Sequence, residues 1–183
     1  NLANWLDHSG YKMEIITYSR DLNDEVCFDK NLSYDIKRNV NYKSRALNVF
    51  MKAVFFYKSL LNIDKKSIII VSGKFPLLFC GAVQFFFKKY KFVAVIHGSE
   101  VNPKNFLMKI LVKLCLKNIG HIISVSNYTK RLVKNLINDI NVDVIHNGFD
   151  DQKFIRDNYI KKTENINGPH LITVGSVTNR KGQ

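Results

Sequence analysis

Acidic residues all but vanish from the middle of this chain. Residues 40–135 hold only Asp64 and Glu100 against seventeen lysines and arginines, a local charge of +15. Residues 1–29 reverse the balance, with six acids against Lys12 and Arg20. A domain so poor in acids is drawn to an anionic partner: a membrane surface, nucleic acid or a phosphorylated substrate. Long apolar runs are lacking too. The chain is 46% hydrophobic, yet its greasiest stretch, Phe75 to Phe87, is broken by Pro76, Gly81 and Gln84. It falls short of the roughly 20 residues that span a bilayer, so no membrane span is expected. The first residues carry neither a positive leader nor a cleavage pattern, so no secretory signal is read. Cysteine is scarce: Cys27, Cys80 and Cys115 are odd in number and widely spaced. That argues against a disulfide framework or a metal site and suits reduced core thiols in a cytoplasmic protein. Internal repeats and low-complexity tracts are absent.

What is present is an alternation. Leu2, Ala3, Trp5 and Leu6 sit at helical spacing, and Gly10 suits the left-handed residue after a helix end. Apolar runs that read as strands follow at Met13 to Thr17, Ser67 to Val71, Phe92 to Ile96, His121 to Val125, Val142 to His146 and Leu171 to Val174. Helical patterns lie between most of them, at Lys43 to Leu61, Pro76 to Lys88, Pro103 to Lys117 and Asn127 to Ile137. Strands alternating with helices predict an α/β fold, a Rossmann-like parallel sheet flanked by helices. In the first long helix Ala46, Phe50, Ala53, Val54, Tyr57 and Leu61 form one apolar face and are expected to pack on the core. Such a domain normally opens on a strand and a glycine-bearing turn. Here a helix is already under way at Leu2, so the first strand and its loop are expected to be missing.

Polar and glycine residues gather where the strands end, which is where open α/β sheets bind ligands. His97-Gly98-Ser99-Glu100 follows one strand and places an imidazole at the sheet edge, where it can donate to a hydroxyl or phosphate oxygen; equally, it can cap or pack. Ser126 is placed as the N-cap of the next helix. That helix start also offers free N–H groups to an anion, with Thr129 close by. Asn147-Gly148 makes a turn before Asp150. Gly175 then opens a glycine turn that continues through Arg180, Lys181 and Gly182 and suits a diphosphate. Neither this segment nor Gly73-Lys74 has the spacing of a Walker loop.

Taken together, strand-HGSE, ISVSNYTK, VIHNGFD and LITVGSVTNRKGQ resemble, in order and spacing, the retaining GT-B glycosyltransferases of family 4. The resemblance implies two Rossmann-like domains facing across a cleft, with the acceptor on the N-terminal domain and a nucleotide-sugar mainly on the C-terminal one. Residues 1–150 then form the acceptor-side domain without its first strand and glycine loop. Residues 151–168 are a linker, and residues 169–183 are the first strand and turn of the donor domain, so the fold is truncated at both ends. His97 matches the family's cleft histidine beside the transferred sugar and its phosphate. Gly98, Glu100, Ser126, Thr129, Asn147, Gly148 and Asp150 line the cleft. Gly175, Arg180, Lys181 and Gly182 match the donor-diphosphate segment, although Ser176 stands where the family places arginine. The paired glutamates of the family's donor site have no counterpart before Gln183, so this polypeptide is expected to be inactive alone. The donor serves as substrate, and no metal or other cofactor is expected.

Lys109, Lys113 and Lys117 are spaced by four and must form one stripe on their helix. With Phe106, Leu107, Ile110, Leu111 and Leu114 on the other faces, the helix has the makeup of an interfacial element on an anionic membrane. A solvated rim would look the same. The resemblance favours docking at the inner face of the membrane, with a lipid-linked or saccharide acceptor. Two other readings stay open: a basic module without enzymatic activity and a sugar-nucleotide epimerase on the same scaffold. No helix-turn-helix, zinc or RNA-binding signature supports a nucleic-acid partner.

Overall fold

The computed structural model describes residues 2–19, 29–30 and 32–148, which belong to one compact unit, Asn1–Phe149. The elements in chain order are α1 (Leu2–His8), β1 (Glu14–Tyr18), β2 (Asp35–Asn39), α2 (Arg45–Leu61), β3 (Ile68–Ser72) and α3 (Lys74–Phe87). After them come β4 (Lys91–Ile96), α4 (Phe106–Asn118), β5 (His121–Ser124), α5 (Asn127–Leu136) and β6 (Asp143–Val144). Among the described residues every strand pairing is parallel, and the strands form a two-stranded sheet, β1-β2, and a four-stranded sheet in the order β3-β4-β5-β6. The alternation of strands and helices is therefore the Rossmann-like α/β arrangement. The expected strand Leu171 to Val174 lies outside the described residues, as does Cys27.

The four-stranded sheet advances by one neighbour at each crossover. Right-handed crossovers advancing one way must stack their helices on one face, and burial follows that rule. Val71, Phe92, Ala94, Ile96, Ile122 and Ser124 are all buried on the helix side. The alternate residues are not: Ile68 and Ile70 are exposed, while Val93, Val95 and Ile123 are half-buried. The helices contribute Leu77, Val112, Leu116 and Val133, each almost fully buried, to the same core.

Local chemistry sets the helix ends. Gly10 takes a left-handed φ of 80° after α1, and its N–H donates to the Asp7 carbonyl. Ser44 caps α2 by accepting from the Leu47 N–H. The third helix starts at Lys74, ahead of the expected Pro76, because Gly73 (φ 95°) turns the chain into it; a proline in the first turn loses no helical hydrogen bond. The fourth starts at Phe106, three residues after the expected Pro103, because Asn105 accepts from the Leu107 N–H at 2.8 Å and caps it there.

Two expectations are corrected. The apolar face assigned to α2 is not the one that packs: Phe50, Tyr57 and Leu61 are exposed, whereas Phe56, Ser59 and Leu60 are buried. The cause is tertiary. Phe56 lies 5.9 Å from Phe75 and 6.0 Å from Phe79, centroid to centroid, and the Tyr90 hydroxyl donates to the Leu60 carbonyl. These contacts rotate the helix onto a face its all-round apolarity left undetermined. The second correction is a strand where none was expected, β2, whose sequence Asp-Ile-Lys-Arg-Asn is polar. It is held by its ladder to β1 and by Lys37, which bonds Glu14 at 2.8 Å.

Helices α3 and α4 lie unusually close. A Cβ built on Gly81 would fall 2.4 Å from the Cys115 Cβ and 2.7 Å from its Cα. The Cys115 thiol points to the Leu78 carbonyl at 3.5 Å. Cys80 and Cys115 are both free and buried, and burial, with a smaller contribution from Cys115, pushes the Cys80 thiol up to about 12. It stays protonated and unreactive at neutral pH.

Candidate functional site

The carboxyl ends of β3, β4 and β5 meet along one edge of the four-stranded sheet, as parallel strands require. Ser72 ends β3 and pairs with Val95; two residues beyond Val95, on the same side of the pleat, stands His97. This register brings the Ser72 Oγ within 3.1 Å of the His97 Nε2. Both residues are exposed, so the ring is tethered yet open to a ligand. When the Ser72 hydroxyl donates to Nε2, the proton resides on Nδ1, which is then free to donate to a ligand oxygen.

The turn after β4 is stapled from inside. Glu100 is only 4% exposed, and its Oε2 accepts from the backbone N–H of His97 at 3.2 Å and of Gly98 at 3.0 Å. The Val101 N–H closes the turn onto the Gly98 carbonyl. Gly98 holds a φ of 115°, which side chains other than hydrogen rarely tolerate, and a Cβ there would face Thr129 and Leu132. Charge-assisted bonds to backbone contribute about 1.5–3 kcal/mol. Glu100→Ala is therefore expected to lower stability by about 2 kcal/mol, and Glu100→Gln, which keeps an acceptor, by less. Denaturant unfolding checks this; an alanine variant as stable as the parent would show that the staple carries nothing.

The start of α5 forms the next part of the edge. Ser126 is its N-cap, as its position after a strand predicts, and accepts from the Thr129 N–H at 3.1 Å. The Thr129 hydroxyl lies 3.0 Å from the Ser126 Oγ, and Thr129 is only 2% exposed. Asn147 and Gly148 are exposed beyond β6, where the Ile145 N–H bonds the Ser124 carbonyl and keeps the chain at the sheet edge.

The structure thus brings His97, Gly98, Ser126, Asn147 and Gly148 to the ends of successive strands. Glu100 and Thr129, read from sequence as lining residues, turn inward and serve as supports, because their polar atoms are spent on the turn and the cap. Asp150, Gly175, Arg180, Lys181 and Gly182 lie outside the described residues. Ser72 was not among the sequence candidates. Its signal was its place directly after an apolar run, but its partnership with position 97 exists only through the strand register.

The lysine stripe lies elsewhere. Lys109, Lys113 and Lys117 are all exposed on α4. Lys113 and Lys117 border a groove of about 530 Å³ whose other wall includes Asn135, Asn138 and Asp139. This groove sits toward the carboxyl ends of α4 and α5, away from the strand-end edge. Among the described residues no three His, Cys, Asp or Glu side chains cluster as metal ligands, and no helix is long and apolar enough to cross a membrane.

No curated protein matches the chain. The model of the family described as Glycosyltransferase Family 4 matches residues 1–153, a span that includes the whole four-stranded sheet and its strand-end loops. The chain belongs to glycosyltransferase family 4.

Proposed function

We propose that this chain provides the acceptor-side domain of a retaining enzyme that moves a sugar from a nucleotide-sugar to a lipid-linked or cell-surface polysaccharide acceptor. The observation that carries the reading is His97: exposed at the end of β4, tethered by Ser72 and set on a turn that Glu100 locks from beneath. A rigid donor at that edge suits the oxygens of a transferred sugar and its phosphate, because a group fixed beforehand stabilises developing charge without reorganising. On this reading Gly175, Arg180, Lys181 and Gly182 hold the donor diphosphate, with Lys181 neutralising the charge of the leaving group. Residues 151–168 then link the two domains. Asn147, Gly148 and Asp150 close the acceptor side.

The exposed lysines of α4 dock the enzyme on the inner face of an anionic membrane, where a lipid-linked acceptor is found. Each lysine near such a surface contributes about 1 kcal/mol.

The test is a transfer assay on the protein as encoded by its gene, with a panel of radiolabelled nucleotide-sugars and a membrane extract as the acceptor source. Label is expected to pass from one nucleotide-sugar into lipid or polymer. Recovery of an altered nucleotide-sugar with no transfer would assign the protein to the epimerase class instead.

A further inference from the structure

The groove bordered by Lys113 and Lys117 takes no part in the strand-end edge, yet its volume of about 530 Å³ is that of a ligand site. Its two walls differ in chemistry. On the α4 side stand Lys113 and Lys117, one turn apart and about 6 Å along the helix axis. Facing them are Asn135, Asn138 and Asp139, over a floor of Leu136, Ile137 and Ile140 that packs on the core. All five polar side chains are exposed, and among the described residues none has a hydrogen-bond or ion-pair partner. Asp139 bridges to neither lysine, so the groove is not closed by its own charges.

A ligand that fits these walls is anionic along one side only. Lysines at this spacing repel each other and favour a negative partner. The facing wall holds a carboxylate and the carboxyl end of α5, where helical carbonyls lack intrahelical donors and the dipole is negative. That wall repels anions and accepts hydroxyl donors, and the amides of Asn135 and Asn138 both give and accept hydrogen bonds. A sugar bearing a carboxylate satisfies both sides. Nucleic acid does not, because no aromatic or arginine side chain among the described residues lines the groove to stack its bases. A bilayer is too flat to enter a concavity.

We propose that the α4–α5 groove binds an acidic polysaccharide, with its carboxylates on Lys113 and Lys117 and its hydroxyls on Asn135, Asn138 and Asp139. The proposal rests on the polysaccharide reading above for the identity of the polymer, and extends it by holding the chain at a second place, away from the transfer edge. Lys109 does not line the groove and belongs to the docking face alone.

Fluorescence anisotropy of a labelled oligogalacturonide, titrated with the protein as encoded by its gene, tests this without any transfer step. Saturable binding is expected, and a neutral maltodextrin of equal length is expected to bind much more weakly. Asn135→Ala with Asn138→Ala removes no charge, yet should weaken binding about tenfold through two lost hydrogen bonds. Lys113→Gln with Lys117→Gln should weaken it at least as much, and Lys109→Gln little. These positions are exposed, so the fold is retained. An asparagine variant that loses the oligogalacturonide but still sediments with anionic vesicles supports a groove separate from the docking face. If that variant binds like the parent, or Lys109→Gln costs as much as Lys113→Gln, the attraction is diffuse charge and the proposal is overturned. Tighter binding of single-stranded DNA than of the oligogalacturonide overturns it in favour of nucleic acid. Since the titration involves no transfer, its failure and a failed transfer assay are separate results.

Discussion

Gly81→Ala lowers the stability of the described domain by about 3 kcal/mol, at the upper end of what overpacking a core costs. The added methyl lies 2.7 Å from the Cys115 Cα and 2.4 Å from its Cβ. Because one of those atoms is backbone, no rotamer change relieves the clash, and α3 must move away from α4. For a domain of this size the melting temperature is expected to fall by about 8 °C. Cys115→Gly introduces a helical glycine, which by itself costs about 1 kcal/mol, yet combined with Gly81→Ala it should recover part of the loss. That non-additivity is the signature of direct contact. A Gly81→Ala variant melting within a degree of the parent would show that the helices are not packed as described.

The second large effect is on catalysis. His97→Ala, made in the protein as encoded by its gene, is expected to reduce sugar transfer by about a hundredfold or more, the range seen when a preorganised hydrogen-bond donor is lost. Thermal melting should change little, because the ring is exposed and its described side-chain partner is Ser72. Ser72→Ala keeps the imidazole but releases its tether, so a smaller loss is expected. Transfer within a few-fold of the parent after His97→Ala would remove this residue from the mechanism.

Much of this architecture was legible in the chain. Four apolar runs between Ser67 and His146 map onto β3 to β6 because alternate residues of these runs, Val71, Phe92, Ala94, Ile96 and Ile122 among them, build the core under the helices. Helix ends drifted by a few residues where a cap was set by Asn105 or Gly73. The strand Asp35–Asn39 was invisible because it has only one apolar residue and is held by ladder bonds and ion pairing. At the candidate site the positions along the sheet edge were readable, but the direction of each side chain was not. Glu100 and Thr129 have the residue types of a ligand site, yet their oxygens are engaged by the chain itself. Ser72 and His97 are separated by 25 residues and meet only once the register of β3 against β4 is known.

Stacking every crossover helix on one side of the four-stranded sheet turns the helix layer into a spacer. If that layer rests on lipid, the imidazole of His97 stands above the membrane by about one helix thickness, on the order of 10 Å. That elevation is built into the fold and does not depend on a flexible tether. The strand-end edge then opens sideways, parallel to the bilayer. A carrier diffusing in the membrane would present its head at one fixed height, so reach along the membrane normal, rather than the nature of the tail, would select what can be glycosylated.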